Sequence, residues 1–232
     1  MPPTDLQRQT LRHYGELISR RQSWGGQLVF TCGEGCSTSG LSAAVSIAGG
    51  TTLALDPDAS AVKATFRQGG IDFVVNTLDE ALRVLKNEVR QHKPLGVGLI
   101  AELEPVLAEI AARGVLPDLQ VTLDPPSNPM LVPPAPMPPL AGVSQLHLAN
   151  ADGIVAPTET LTAWLAANSL AEILVEPTTN LRALDEKLLS LIPADDTVRR
   201  HWLQRISHYQ RPTPGGPRVL WLTPAEGIKL RT

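Results

Sequence analysis

"QLVFTCGEGCSTSGLSAAV", residues 27 to 45, decides the fold. Leu28, Val29 and Phe30 make an apolar run of the length of a buried strand, and Ala43, Ala44 and Val45 open a run of small residues suited to a helix. Between them, Gly33 and Gly35 flank Glu34. A strand, a glycine turn and a helix in that order are how a dinucleotide-binding α/β unit begins. The glycines let the backbone approach a pyrophosphate, and the helix amides and dipole face it. The third glycine of that fingerprint, five residues after Gly33, is Thr38 here. Ser37, Thr38 and Ser39 add hydroxyls to the cradle, whereas the Glu34 carboxylate repels a bound phosphate. Asp56 stands 23 residues after Gly33 and closes the next apolar run, "TTLAL". An acid there accepts the adenosine ribose hydroxyls. From these features alone, a tight strand-to-helix turn with Asp56 as a solvated turn or N-cap residue before Pro57 is an equal alternative.

Working outward, "QLVFTC", "TTLAL", "IDFVV", "PLGVGLI" and "PDLQVTL" read as five strands. Helices are expected between them at Ser39 to Gly49, Ser60 to Arg67, Leu78 to Val89 and Pro105 to Arg113. Strands alternating with helices imply right-handed crossovers and a mostly parallel sheet with ligands beyond the carboxyl ends of the strands. The expected fold class is therefore α/β, a Rossmann-like, doubly wound sheet with helices on both faces.

Residues 124 to 140, "DPPSNPMLVPPAPMPPL", hold eight of the 21 prolines, which excludes helix and central strand and implies an extended strap or linker. Beyond it, "GIVAP", "AEILVE" and "PRVLWL" read as strands. Glu159 to Ala167, Leu181 to Leu191 and Thr197 to Tyr209 read as helices. The late strands are expected to extend the same sheet. Residues 1–24 form an N-terminal helical segment and 25–232 a single domain that includes the strap.

The net charge of −3 argues against nucleic-acid or membrane-surface partners, which favour a basic face. No basic segment followed by an apolar one opens the chain, and no apolar stretch reaches membrane-spanning length, so a cytoplasmic location is expected. Cys32 and Cys36 lack neighbouring ligands for a metal and read as plain thiols. His13, His92, His147, His201 and His208 are scattered without ligand spacing. Trp202 and Trp221 read as packing residues.

The block "GGQLVFTCGEGCSTSGLSAAVSIAGGTTLALDPD" resembles the nucleotide-binding region of urocanases (urocanate hydratases). The resemblance continues through "GGIDFVVNTLDEAL", "KPLGVGL" and "EPVLAEIAARGVLPD". It resumes at "LDEKLLSLIPADDTVRRHWLQRI" and "GGPRVLWLTPAEG". It implies a Rossmann-like domain whose cofactor is NAD⁺, used in that family as an electrophile that activates urocanate toward water. Gly33, Gly35, Ser37 and Thr38 would then hold the pyrophosphate and Asp56 the ribose. Arg218 would contact a carboxylate or the cofactor, and Glu226 matches the acid of the family's last strand motif.

The departures fall on the chemistry. The family's GGMGGAQ reads Gly35-Cys36-Ser37-Thr38-Ser39-Gly40-Leu41, and of its TDQTSAHDP only Pro129 is kept. The segment with the family's catalytic cysteine, FCEGKGPFRW, has no counterpart, nor does the core that flanks this domain in full-length urocanases. Burial preserves a scaffold without preserving its reaction. The expectation is a stand-alone urocanase-like domain with weak or lost NAD binding, no catalytic residues and no hydratase activity of its own. The alternative is an NAD-dependent enzyme or subunit acting on a small molecule, in histidine or urocanate metabolism, with a partner chain. Expected partners are a nucleotide or small molecule, and a protein or a second copy.

Overall fold

The computed structural model describes residues 3–32, 40–123, 139–148, 150–151, 154–176, 180–209 and 217–231. In chain order the elements are α1 (Pro3–Ile18), β1 (Leu28–Cys32), α2 (Leu41–Ile47), β2 (Thr51–Asp56), α3 (Ala59–Gln68) and β3 (Phe73–Val75). There follow α4 (Leu78–Arg90), β4 (Leu95–Ile100), α5 (Leu103–Ala112), β5 (Leu119–Leu123), β6 (Ser144–Leu148) and the short β7 (Asn150–Ala151) and β8 (Ile154–Val155). The chain continues with α6 (Glu159–Ala167), β9 (Ala171–Val175), α7 (Leu181–Leu191), α8 (Thr197–Tyr209), β10 (Arg218–Leu222) and α9 (Pro224–Arg231).

Six strands form a parallel sheet in the order β3-β4-β2-β1-β5-β6. β1 and β2 are buried along their whole length, the condition of strands covered on both faces. Alternation along β1 splits the core. Val29 faces a cluster with α1, α2, α6, α7, α8 and β10. Leu28, Phe30 and Cys32 face α4 and α5. The Rossmann-like, doubly wound α/β reading is thus what the chain adopts.

Local signals set the helix starts. Thr77 caps α4 by accepting the Glu80 amide at 3.3 Å, and the Glu80 carboxylate reaches back to the Asn76 amide. Asp58 caps α3 by accepting the Ser60 amide at 2.8 Å. Each such cap contributes about 1 kcal/mol.

The late strands differ from expectation. β9 and β10 pair antiparallel with each other and form a separate two-stranded sheet; β7 and β8 form another. The strand that does extend the parallel sheet is β6, Ser144–Leu148, pairing β5 in register Val121↔Leu146. Its inward Leu146 and Leu148 are buried and its other face is exposed, as suits an edge. The strap's described end, Leu140, is buried, and its amide donates to Gln120 Oε1 at 3.0 Å. Residues 124–138 lie outside the described part of the chain.

α1 packs into the core rather than beside it. Leu11, Tyr14, Leu17 and Ile18 are buried in the same cluster as Trp202 and Trp221, with Tyr14 stacked on both indoles. Buried Glu16 accepts the Thr158 amide at 2.8 Å and the Thr158 hydroxyl at 2.7 Å, fixing α1 to the start of α6.

Candidate nucleotide site

The sheet order places a topological switch at β1. The chain leaves β1 for β2 on one side, while β5 returns on the other. The crevice between the carboxyl ends of β1 and β5 is where such sheets bind ligands. Cys32 ends β1 there, and α2 begins at Leu41 after Gly40. Gly33, Gly35, Ser37 and Thr38 fall between those two points and lie outside the described residues.

Asp56 ends β2 on the same edge, one strand away from Cys32. It is 2% exposed, which sets aside the reading of a solvated turn residue. Its Oδ1 accepts the Asp58 amide at 2.9 Å, a turn that feeds Pro57 and Asp58 into the cap of α3. Position thus suits a ribose acceptor, while one carboxylate oxygen already serves the fold.

Gly40 has φ 77°, the left-handed region that glycine tolerates. A Cβ at Gly40 would collide with Thr10 Oγ1 of α1. One turn earlier on α1, the Gln7 side chain accepts the Val219 amide of β10. α1 therefore clamps the start of α2 to the second sheet.

Arg218 opens β10 and so belongs to the two-stranded sheet rather than to the parallel sheet that carries Asp56. Its guanidinium is bidentate on Asp185 of α7, at 2.7 and 2.8 Å, and only 5% exposed. Glu226 is likewise committed. It accepts Arg199 Nη1 at 2.6 Å, Arg199 Nη2 at 3.1 Å and the Thr223 amide at 2.8 Å. Thr223 Oγ1 in turn accepts the Glu226 amide, completing a capping box at α9.

One pair at this edge escapes the sequence reading. The register Cys32↔Thr122↔His147 sets three polar side chains in a row across β1, β5 and β6. Thr122 Oγ1 lies 3.0 Å from His147 Nδ1. His147 looks scattered until "SQLHL" is recognised as a strand; the alternation of Leu146 and Leu148 with Gln145 and His147 is the signal. Cys32 is 1% exposed; burial pushes its thiol up to about 12, against a hydrogen bond from Gln120 that lowers it. It is an inert thiol rather than a nucleophile.

Comparison with known families matches residues 8–127 to the urocanase Rossmann-like domain. The chain belongs to the urocanase Rossmann-like domain family. The match begins inside α1 and runs past the end of β5, so it contains the glycine loop, Asp56 and five of the six parallel strands. Its inclusion of most of α1 agrees with the burial of that helix in the core. β6, the β9–β10 sheet and the Arg218 and Glu226 pairs lie beyond the urocanase match. No helix among the described residues is long and apolar enough to cross a membrane.

Proposed function

We propose that these residues form a urocanase-like, nucleotide-binding-type domain without hydratase activity of its own, binding NAD⁺ weakly or not at all. Domains of this family are associated with NAD. The observation that carries the reading is Asp56, whose buried carboxylate already accepts the Asp58 amide. With Oδ1 engaged and the residue 2% exposed, only part of the carboxylate's acceptor capacity remains for a ribose, and a hydroxyl has to enter a buried position to reach it. The loop adds to this through Thr38 in a glycine position and Glu34 beside the phosphates. Cys32, the thiol nearest the site in the sequence outside the loop, is held neutral inside the sheet. The reading sets the domain in the cytoplasm, with a protein or a second copy as partner.

The test is calorimetric titration with NAD⁺, after any carried-over nucleotide has been released and identified, together with the decay of urocanate ultraviolet absorbance. Expected are no turnover and binding weaker than micromolar. Micromolar or tighter binding that disappears in Gly35→Glu and Asp56→Ala, or any urocanate turnover, overturns the reading.

A second reading rests on the Thr122–His147 pair, a hydroxyl and an imidazole in contact at the switch edge. In it the chain is an NAD-dependent subunit acting on a small molecule, in histidine or urocanate metabolism, with a partner chain completing the site. Turnover with such a partner that is abolished by His147→Gln would favour this reading over the first.

A further inference from the structure

A second cavity lies at the opposite edge of the parallel sheet. It has a volume of about 590 Å³ and is lined by Gly25 ahead of β1, Gly49 ahead of β2 and His92 ahead of β4, so it opens at the amino ends of the strands. Thr197 and Val198, in the first turn of α8, line it too, with His201 and Arg205 one and two turns on. The start of α8 is itself closed, the Thr197 amide donating to the Asp195 carbonyl at 2.9 Å and the Arg199 amide to Asp196 Oδ1 at 3.0 Å, so the side chains carry the cavity's charge.

Arg205 is the one permanent cation among the described lining residues. No carboxylate is among the described lining residues. Arg205 makes one hydrogen bond, Nη1 to the Ser46 carbonyl at 3.3 Å, and no ion pair among the described residues. Its charge reaches the neighbours: burial first, then Arg205, holds the His201 imidazole below its ordinary value. Arg205 also acts against the burial that raises Tyr14 and Tyr209. The acids whose fields reach those tyrosines are already engaged, Asp196 at the start of α8 and Asp72 ahead of β3. Asp196 pairs with Arg199 at 2.6 Å, and Asp72 accepts the Gly96 amide at 2.8 Å.

The His92 backbone is left-handed, with φ 55°, a region that residues other than Gly enter uncommonly and Asn, Asp and His more often than the rest. The His92 ring lies on the glycine turn ahead of β1, where a Cβ at Gly26 would sit 2.6 Å from His92 Nδ1. A glycine at 92 would adopt the same backbone without strain.

We infer that this cavity binds the phosphate group of a small anionic metabolite, held by Arg205, His201 and His92. A fixed guanidinium and two imidazoles suit a multiply charged oxyanion. The volume exceeds a lone phosphate and falls in the ordinary range for small-molecule pockets. The site is independent of the NAD edge, since the two sit at opposite ends of the strands.

Imidazole resonances of His92 and His201 would be followed by NMR during titration with inorganic phosphate, and separately with acetate, at one fixed pH. Saturable shifts at both rings, phosphate binding tighter than acetate, and a roughly tenfold weakening in Arg205→Gln are expected. His92→Gly keeps the fold, because its backbone is already glycine-like, and weakens phosphate binding. The inference is overturned if Arg205→Gln and His92→Gly bind phosphate as the parent does. It is equally overturned if acetate binds as well as phosphate, or if neither ring shifts.

Discussion

Replacing Glu226 by Gln tests whether the acid that matches the urocanase strand motif has become a structural ion. Glu226 is 8% exposed and Arg199 5% exposed. The carboxylate accepts two guanidinium N–H groups and the Thr223 amide. Breaking a buried pair by removing one charge costs about 3 to 5 kcal/mol. Arg199 keeps Asp196, which accepts its Nε at 2.6 Å, so the loss belongs at the low end, about 3 kcal/mol. For a chain of this size that corresponds to a fall in Tm of roughly 6 to 12 °C.

The effect carries a pH signature. Burial raises the Glu226 carboxyl, but the Arg199 hydrogen bonds, the Thr223 amide and the Arg199 charge together hold it below its ordinary value near 4.5. A depressed carboxylate contributes stability above the unfolded pKa and loses it as pH falls through the folded one. Parent and Glu226→Gln should therefore differ by about 3 kcal/mol at pH 7 and converge once pH drops well below about 4. Urea unfolding followed by tryptophan fluorescence reads this directly, since Trp202 and Trp221 are each 1% exposed. A loss under about 1 kcal/mol at pH 7, or a difference that does not change with pH, refutes the assignment. Arg199→Met with Glu226→Gln closes the cycle: the double variant should be less destabilised than the sum of the singles.

Two further outcomes follow from the glycine loop's flanks. Gly40→Ala combines a left-handed backbone with a collision at Thr10, and a loss of about 2 kcal/mol is expected; Thr10→Ala in the same chain should recover part of it, and a neutral Gly40→Ala would dismiss the clamp. In a Cys36→Ser background, Cys32 should stay unreactive to Ellman's reagent at about pH 8 and react at once in urea, because its thiol is pushed up to about 12; prompt reaction of the native protein would contradict its burial.

The parallel sheet was legible because its strands are short apolar runs bounded by helices with their own caps, as at Thr77 and Asp58. β6 was not, because "SQLHL" is an edge strand with one polar face and follows a proline-rich stretch that reads as linker. "AEILV" and "RVLWL" declared themselves as strands but not their partners: an apolar run fixes burial, not the neighbour, and the two pair with each other. At the site, the position of Asp56 was legible from spacing. Its burial and its bond to Asp58 were not, since a turn residue and a ribose acceptor look alike in sequence. The pairing of Arg218 was hidden for a plainer reason. Its partner Asp185 lies 33 residues away on another helix, and no local spacing announces such a pair.

The residues that carry the urocanase resemblance are largely the ones the fold needs regardless of ligand. β1 is buried at all five positions and α2 at all seven. Each fully buried Leu, Ile or Val contributes about 1.5 to 3 kcal/mol, so these blocks resist change with or without a cofactor. The flanks of the glycine loop are secured the same way. Cys32 ends a buried strand, while Gly40 is pressed against α1, which is itself fastened by Gln7 to β10 and by Glu16 to Thr158. Neither anchor requires a pyrophosphate in the loop. Glu34 and Thr38 stand in the sequence between these two anchors. Likeness in the buried blocks is therefore an argument for the Rossmann-like fold alone; the case for NAD⁺ has to be made in residues 33–39 and at Asp56, by binding.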